Sequence, residues 1–304
     1  MPPKLRTLLV LGRVSNLPTV WSNCLAGWWL GGGGNYWKLP LLFLGASLLY
    51  AGGMYLNDAF DEQFDRLRRP ERPIPSGKIS PALVWQLGLG QLALGVLLLL
   101  VCGWLAGFAA AALALCILLY DWTHKLFTAS PWLMGGCRFW VYLIAGATGK
   151  SGLNGFVIFG AAALAFYVVG LSYIARRERS RRPVPVWPVS QPKDYLFLGP
   201  NSSLGSSVLL AAPVVLALML NAGAYRLRAI WISLILGAWL VRCIRSVFVH
   251  IQANVGLVVS NLLAGIVLVD WLAVAPQLPI WLGAAVFVPL LGLTKWLQKF
   301  VPAT

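Results

Sequence analysis

Charge is what this sequence has least of. Only 11% of its 304 residues are Asp, Glu, Lys or Arg, and just nine are acidic. Soluble domains are about a quarter charged and less than half apolar. Here 59% of residues are hydrophobic and the mean hydropathy is +0.76. One soluble core of this length cannot hide so much apolar surface, so the solvent is lipid. A cytosolic enzyme, a disordered chain and a disulfide-stapled secreted module are thereby excluded. Cysteine offers no pattern either. Cys24, Cys102, Cys116, Cys137 and Cys243 are odd in number, form no C-x-x-C pair and lie in or beside apolar runs. They read as reduced, packed side chains, not as a metal site or a disulfide framework.

What is present is a series of long charge-free intervals: Val14–Trp37, Leu39–Asn57, Ile79–Tyr120, Ser151–Ala175, Tyr195–Tyr225, Ser246–Val269 and Trp271–Thr294. A helix crossing the hydrocarbon needs about 20 residues, so Ile79–Tyr120 holds two, turning near Gly103. With the shorter stretches Pro131–Gly149 and Ala229–Val249, ten spans are expected. Placing the N-terminus in the cytoplasm puts 19 Lys and Arg inside and leaves Lys38, Lys150, Arg226 and Arg228 outside, with Arg138 at the start of a span. That asymmetry fixes the expected orientation. It also accounts for the net charge of +15 without nucleic acid, which the apolar content excludes. The start of the chain has no small-residue cleavage site and reads as a first span, not a removed signal. Two long loops fall on the cytoplasmic side, 58–81 and 176–206, and long loops on one face of a bundle are where function sits.

Four of the nine acids crowd into Asn57-Asp58-Ala59-Phe60-Asp61-Glu62-Gln63-Phe64-Asp65. On a helix, Asp58, Asp61 and Asp65 share a face, with Asn57 flanking it. Carboxylates this close repel unless a cation neutralises them, and Mg²⁺ takes a few carboxylates together with phosphate oxygens. The plainer alternative is a solvated acidic turn at the interface, although charge beside a span is expensive. Arg68, Arg69 and Arg72 follow at once, in Arg68-Arg69-Pro70-Glu71-Arg72-Pro73-Ile74-Pro75-Ser76-Gly77-Lys78. Guanidinium is a natural partner for diphosphate oxygens, and positive-inside charge is the ordinary reading of Arg69 or Lys78 alone.

Asn57-Asp58-x-x-Asp61-x-x-x-Asp65 followed by Arg72-Pro73-x-Pro75-Ser76-Gly77-x-Ile79-Ser80 resembles the first signature of the UbiA superfamily of intramembrane prenyltransferases. The polytopic pattern agrees over nearly the whole chain, and Arg13-Val14-Ser15-Asn16-Leu17-Pro18 resembles that family's first helix, where an Asn and an Arg approach the pocket. The resemblance implies an all-α polytopic membrane protein. About nine to ten transmembrane helices would surround a lipid-open cavity, with cytoplasmic cap loops, as a single domain over 1–304. It would be an integral multi-pass protein, of the inner or plasma membrane in a bacterium, with its N-terminus cytoplasmic. It implies Mg²⁺ held by Asp58, Asp61 and Asp65 on a prenyl diphosphate, whose allylic C–O bond ionises before a lipid-soluble acceptor captures the cation. Asn16, Asn57, Arg68, Arg72, Tyr120, Lys125, Arg138, Tyr173, Arg176 and Arg177 are the substrate-binding residues it implies. Aromatic side chains, 12% of the chain, would line the prenyl channel.

The resemblance has gaps. The family's second Asp motif should end the sixth span, where this chain reads Gly170-Leu171-Ser172-Tyr173-Ile174-Ala175-Arg176-Arg177-Glu178-Arg179. The tyrosine matches and the aspartates do not. Either Arg176, Arg177 and Arg179 grip the diphosphate directly, or they are ordinary inside-positive residues. In Tyr120-Asp121-Trp122-Thr123-His124-Lys125 the basic residue comes one position later than is usual in the family, with His124 in its place. These variations place the chain nearer an EboC-type branch. Two functions are therefore weighed: a Mg²⁺-dependent prenyltransferase, and a non-catalytic membrane binder or carrier of a prenylated or aromatic metabolite. A lipid-headgroup phosphotransferase is set aside because its D-G-x-x-A-R type signature is missing.

Overall fold

The computed structural model describes residues 3–125, 127–181, 203–220, 225–249 and 255–303. These form twelve α-helices and, among the described residues, no strand. The helices are α1 (Pro3–Leu11), α2 (Leu17–Leu30), α3 (Lys38–Phe60), α4 (Glu62–Arg68), α5 (Pro81–Val101), α6 (Trp104–Thr123), α7 (Ser130–Thr148), α8 (Gly155–Arg181), α9 (Ser203–Leu220), α10 (Tyr225–Val249), α11 (Val255–Ala273) and α12 (Ile280–Leu297). Each of the ten expected spans holds one long helix, and α1 and α4 are short additions. By length and composition seven helices are able to cross a membrane: α3, α5, α6, α8, α10, α11 and α12. The protein is an integral, multi-pass membrane protein with an all-α fold.

Two of the long helices outside that set have physical reasons for it. A 3₁₀ turn at Val14–Asn16 takes the first residues of the expected span, leaving α2 only 14 residues. In α7, Arg138 and three glycines dilute the apolar character of its 19 residues. The expected turn falls at Gly103, whose φ of 142° suits glycine and lets α5 fold back into α6. Proline at the first turn of α2, α5 and α7 starts each helix where its missing N–H does no harm. Ser80 caps α5 by accepting from the Leu83 amide.

Helix pairs meet through small residues, as expected where lipid supplies no hydrophobic drive between helices. On α3 and α5, Gly45, Gly52, Gly88 and Gly95 let the backbones touch, and a Cβ at Gly52 would stand 2.9 Å from the Gly88 carbonyl. One apolar core gathers α8 to α12 around Tyr142, Tyr167 and Phe287, and a second joins α2, α3, α5, α6 and α7. A third, small cluster matters most for the site. Ile74, from the loop after α4, is 4% exposed and packs with Leu11, Tyr55, Ala59 and Val84. It pins the loop against α1, α3 and α5, and Gly77, at φ 74°, closes its turn.

The charge-free intervals misplace one boundary. They end a span at Val269 and start another at Trp271, whereas α11 runs unbroken from Val255 to Ala273 with Asp270 fully buried inside it. A charge inside a bundle is tolerated when its hydrogen bonds are satisfied, and charge counting cannot see that.

Candidate functional site

The acidic residues gather at one end of the bundle. Asn57 and Asp58 occupy the last turn of α3, Asp61 sits at the junction where α3 gives way to α4, and Asp65 lies on α4. The helix breaks at Asp61, yet the expected shared face survives. Asp58, Asp61 and Asp65 are 8%, 5% and 2% exposed, so they are no solvated turn. Glu62, off that face, pairs with Arg66 at the surface.

Each buried carboxylate meets a cation of the protein itself. Arg72 Nη1 bridges Asp58 Oδ1 at 3.0 Å and Asp65 Oδ2 at 2.9 Å, a position set by Ile74 two residues on. Arg13 Nη2 donates to Asp58 Oδ1 at 3.2 Å and to Asn57 Oδ1 at 3.4 Å. Arg13 holds a left-handed backbone (φ 41°, ψ 48°), which for a residue with a Cβ costs about 1–3 kcal/mol and clusters at functional sites. The end of α6 supplies the rest: Lys125 Nζ lies 2.5 Å and His124 Nε2 3.3 Å from Asp61 Oδ1. Burial pushes the Asp61 carboxyl up, but hydrogen bonds from His124 and Lys125 outweigh it and hold the pKa at about 2. Asp65 goes the other way: burial raises its pKa, with Arg72 opposing. Tyr120 stacks on the His124 ring with centroids 5.2 Å apart.

A second polar group lies deeper. Asp270 accepts from Ser22 Oγ at 2.5 Å, Asn23 Nδ2 at 2.7 Å and Tyr142 OH at 2.6 Å. Asn23 Oδ1 in turn accepts from Arg138 Nη1 at 2.6 Å, while Arg138 Nη2 donates to Thr19 Oγ1 at 3.1 Å. The Arg138 guanidinium faces the Tyr50 ring at 5.8 Å. Tyr50 stands seven residues before Asn57 on α3, about 10 Å along the helix, and its hydroxyl donates to the Arg13 carbonyl at 3.4 Å. Arg138 is thus one storey below the acids.

The residues expected at the site divide three ways. Asn57, Asp58, Asp61, Asp65, Arg72, Tyr120 and Lys125 come together at the rim. Asn16 lies buried beside it, donating to the Ala303 carbonyl at 3.0 Å, with its Oδ1 unpaired. Arg138 belongs to the deeper group. Others stand apart. Arg68 is exposed and covers the Phe64 ring. Tyr173 is buried on α8, without a hydrogen bond to the acids. Arg176 donates to the Thr128 carbonyl at 2.8 Å, the His124 carbonyl at 2.9 Å and the Ser130 hydroxyl, tying α8 to the α6–α7 connection. The Arg177 side chain, residues 182–202 of the second long loop and His250 lie outside the described residues. Asp121, Asp270, Tyr142, Asn23 and Ser22 were not picked out as site residues, and Arg13 was noted only within the entry segment before Asn16. The signal available for Asp270 was its rarity, as an acid flanked on both sides by apolar runs.

The donor set fits a hard divalent ion in kind, because the rim is built of carboxylate oxygens and Asp121 keeps one buried oxygen without a hydrogen-bond partner. Among the described residues no group of three Asp, Glu, His or Cys side chains converges to hold a metal ion, the carboxylates being shared out among Arg13, Arg72, His124 and Lys125. A shallow apolar pocket between α8, α9 and α11, lined by Phe156, Phe159, Pro213 and Leu272, lies toward the opposite end and takes no part in the site.

Comparison with known proteins shows the family and the fold of the chain. A digeranylgeranylglyceryl phosphate synthase of Ignicoccus hospitalis is 39% identical over 123 residues, covering 40% of each chain, and that of Methanopyrus kandleri is 39% identical over 80 residues, 26% of this chain and 30% of the relative. The matched stretches thus span less than half of these relatives. Two solved structures share the fold. One, described as digeranylgeranylglyceryl phosphate synthase in membranes, has a TM-score of 0.56 at 22% identity over 99% of this chain and 98% of its own. The other, the apo form of a UbiA homolog from Aeropyrum pernix K1, has a TM-score of 0.56 at 18% identity over 96% and 97%. The pattern of the UbiA prenyltransferase family matches residues 16–255, which take in Asp58, Asp61, Asp65, Arg72, Lys125 and Arg138 but neither Arg13 nor Asp270, and the chain belongs to that family.

Proposed function

We propose that the chain is a membrane transferase that moves a prenyl group from a prenyl diphosphate to a small lipid-soluble acceptor. The observation that carries this reading is the rim itself: three nearly fully buried carboxylates interlaced with Arg13, Arg72 and Lys125 at the mouth of an apolar bundle. Fixed charges of both signs at a lipid boundary suit a ligand with a highly charged head and a greasy tail.

Asp58, Asp61 and Asp65 would hold Mg²⁺, which when bound draws charge off the diphosphate leaving group. The protein's own part is positional. Arg72 and Arg13 already stand at the carboxylates, and as the acids turn to an ion their guanidinium groups are free to take phosphate oxygens. Lys125, held to Asp61 and covered by the Phe64 ring at 4.3 Å, brings an ammonium to the same place. Bundle walls of Leu, Trp and Tyr keep water from the reactive carbon. Arg138, with three of its five N–H donors unengaged among the described residues, is placed to orient the acceptor. The name of the relatives makes a lipid bearing a phosphate one acceptor class to try. The orientation that fits has the rim and the N-terminus on the cytoplasmic side.

A second reading, a binder or carrier that retains the ligand without turnover, is favoured by one feature: α8 brings Arg176 to carbonyls where the family's second acidic motif would stand. Purified protein incubated with labelled prenyl diphosphates, with and without Mg²⁺, separates the two. Binding with Mg²⁺-dependent release of diphosphate is the expected result. Binding without release makes the chain a carrier, and absence of binding removes both readings.

A further inference from the structure

The end of α6 carries an acid that the mechanism above leaves idle. Asp121 is 4% exposed, and its Oδ1 accepts from Asn57 Nδ2 at 3.0 Å. Its Oδ2 is buried and has no hydrogen-bond partner. A buried carboxylate oxygen left unmatched is costly, and chains that keep one place it where something else comes to it. The surroundings say where this oxygen lies. Just past the end of that helix, His124 and Lys125 clasp Asp61, while Asn57, one turn before Asp61 on α3, clasps Asp121. The two helices are laced by these successive rungs, so Asp121 faces the rim and lies within electrostatic reach of Asp61 and Asp58.

We propose that Asp121 is the fourth carboxylate of the rim, and that its free oxygen takes a hard divalent cation together with Asp58 and Asp61. The helix α6 would thereby supply what α8, with Arg176 turned to the α6–α7 carbonyls, does not. This rests on the reading of the rim as a metal-diphosphate site, and it assigns to α6 a ligand that the expected acid clusters on the second and sixth spans do not include. Asn57 is then a positioning residue, holding Asp121 through Oδ1 so that Oδ2 stays free.

The experiment measures Mn²⁺ binding to the purified full-length protein in detergent with inorganic pyrophosphate, by the electron paramagnetic resonance signal of free Mn²⁺. Wild type, Asp121→Asn, Asp61→Asn and the surface control Glu62→Gln are compared. Asp121→Asn is expected to weaken Mn²⁺ binding by at least about tenfold, the loss that removing even an outer-shell partner of a metal causes. Glu62→Gln is expected to bind as wild type. If Asp121→Asn binds Mn²⁺ like wild type while Asp61→Asn does not, the assignment of Asp121 is wrong and the rim reading stands. If wild type itself binds no Mn²⁺ with pyrophosphate, the rim reading falls and takes this one with it. Should Asp121→Asn fail to fold, Asp121→Glu decides, since it keeps the charge and moves the oxygens by one methylene. An unchanged Mn²⁺ affinity in that variant overturns the assignment and a shifted one supports it.

Discussion

The protein holds two buried polar groups, and they are built on opposite principles. At the rim, opposite charges touch: Arg72 shares itself between two aspartates, and Lys125 and His124 crowd one oxygen of Asp61. Around Asp270, neutral donors do the work, with Ser22, Asn23 and Tyr142 spreading the charge of one carboxylate and Asn23 passing it on to Arg138. Ion pairs at a partly wet boundary exchange partners easily, because another charge can replace either member. A carboxylate tied by three neutral donors in the dry interior cannot let go without leaving all of them unmatched. The rim is suited to receiving a charged ligand and the inner group to holding α2, α7 and α11 in register.

The comparison is broken most directly by removing the rim. Asp58→Ala and Asp61→Ala are each expected to lower prenyl transfer by on the order of 10²–10³-fold or more, with thermal melting close to wild type. Activity retained in both variants would leave the rim a structural ion cluster. The inner group should answer in the reverse sense. Asp270→Ala orphans three donors and is expected to lose about 3–5 kcal/mol of stability, seen as a lower melting temperature. Asp270→Asn, which keeps an acceptor oxygen, should lose much less. In both, affinity for the prenyl diphosphate should remain within about twofold of wild type in whatever protein stays folded, because the partners of Asp270 are Ser22, Asn23 and Tyr142 and not the rim carboxylates.

Arg138 sharpens the comparison, since it belongs to the inner group yet stands under Tyr50, whose hydroxyl reaches the Arg13 carbonyl. Arg138→Gln is expected to raise the acceptor KM about tenfold, the loss of one charged hydrogen-bonding contact, while leaving the prenyl diphosphate KM unchanged. Equal changes in both would place Arg138 in the framework alone.

Acidity probes the rim from another side. The Asp61 pKa is held at about 2, below its ordinary 3.8, so the proton is bound less readily in the folded protein. The stability this contributes, about 2 kcal/mol, is complete above the ordinary value and is lost as pH falls through about 2. Melting followed from pH 6 to pH 2 should therefore show a loss at the acid end that Asp61→Asn lacks. Persistence of the full loss in Asp61→Asn would assign it to other carboxylates.

Much of this was legible in the sequence for a plain reason: apolar length and acid spacing are local properties. The ten expected spans each became a helix, and the i, i+3, i+7 spacing brought Asp58, Asp61 and Asp65 to one buried face even though the helix breaks at Asp61. The residues missed depend on partners far along the chain. Treating each charge as the end of a span cut α11 at Asp270, whose donors come from residues 22, 23 and 142. The same habit closed the span at Tyr120 and left Asp121 outside it, although α6 continues to Thr123. Arg13 needed a left-handed backbone that no local pattern announces. Arg176 likewise takes its carbonyl partners from residues far along the chain, at His124, Phe127 and Thr128.

The smallest expected effect falls on that last residue. Arg176 joins α8 to the carbonyls of His124, Phe127 and Thr128, and so holds the connection from which Lys125 reaches Asp61. Arg176→Ala removes a clasp at the edge of the site without touching a carboxylate. Melting should fall by about 2–4 °C, the response of a chain of this size to about 1 kcal/mol. The prenyl diphosphate KM should stay within about twofold, because hydrogen bonds worth about 1 kcal/mol cannot displace Lys125 from a charged partner at 2.5 Å. Arg176→Lys, which keeps the charge but not the fork of donors, should melt like Arg176→Ala if carbonyls are the partners. A large rise in KM that Arg176→Lys repairs would mean the cation itself meets the diphosphate, and α8 would rejoin the rim.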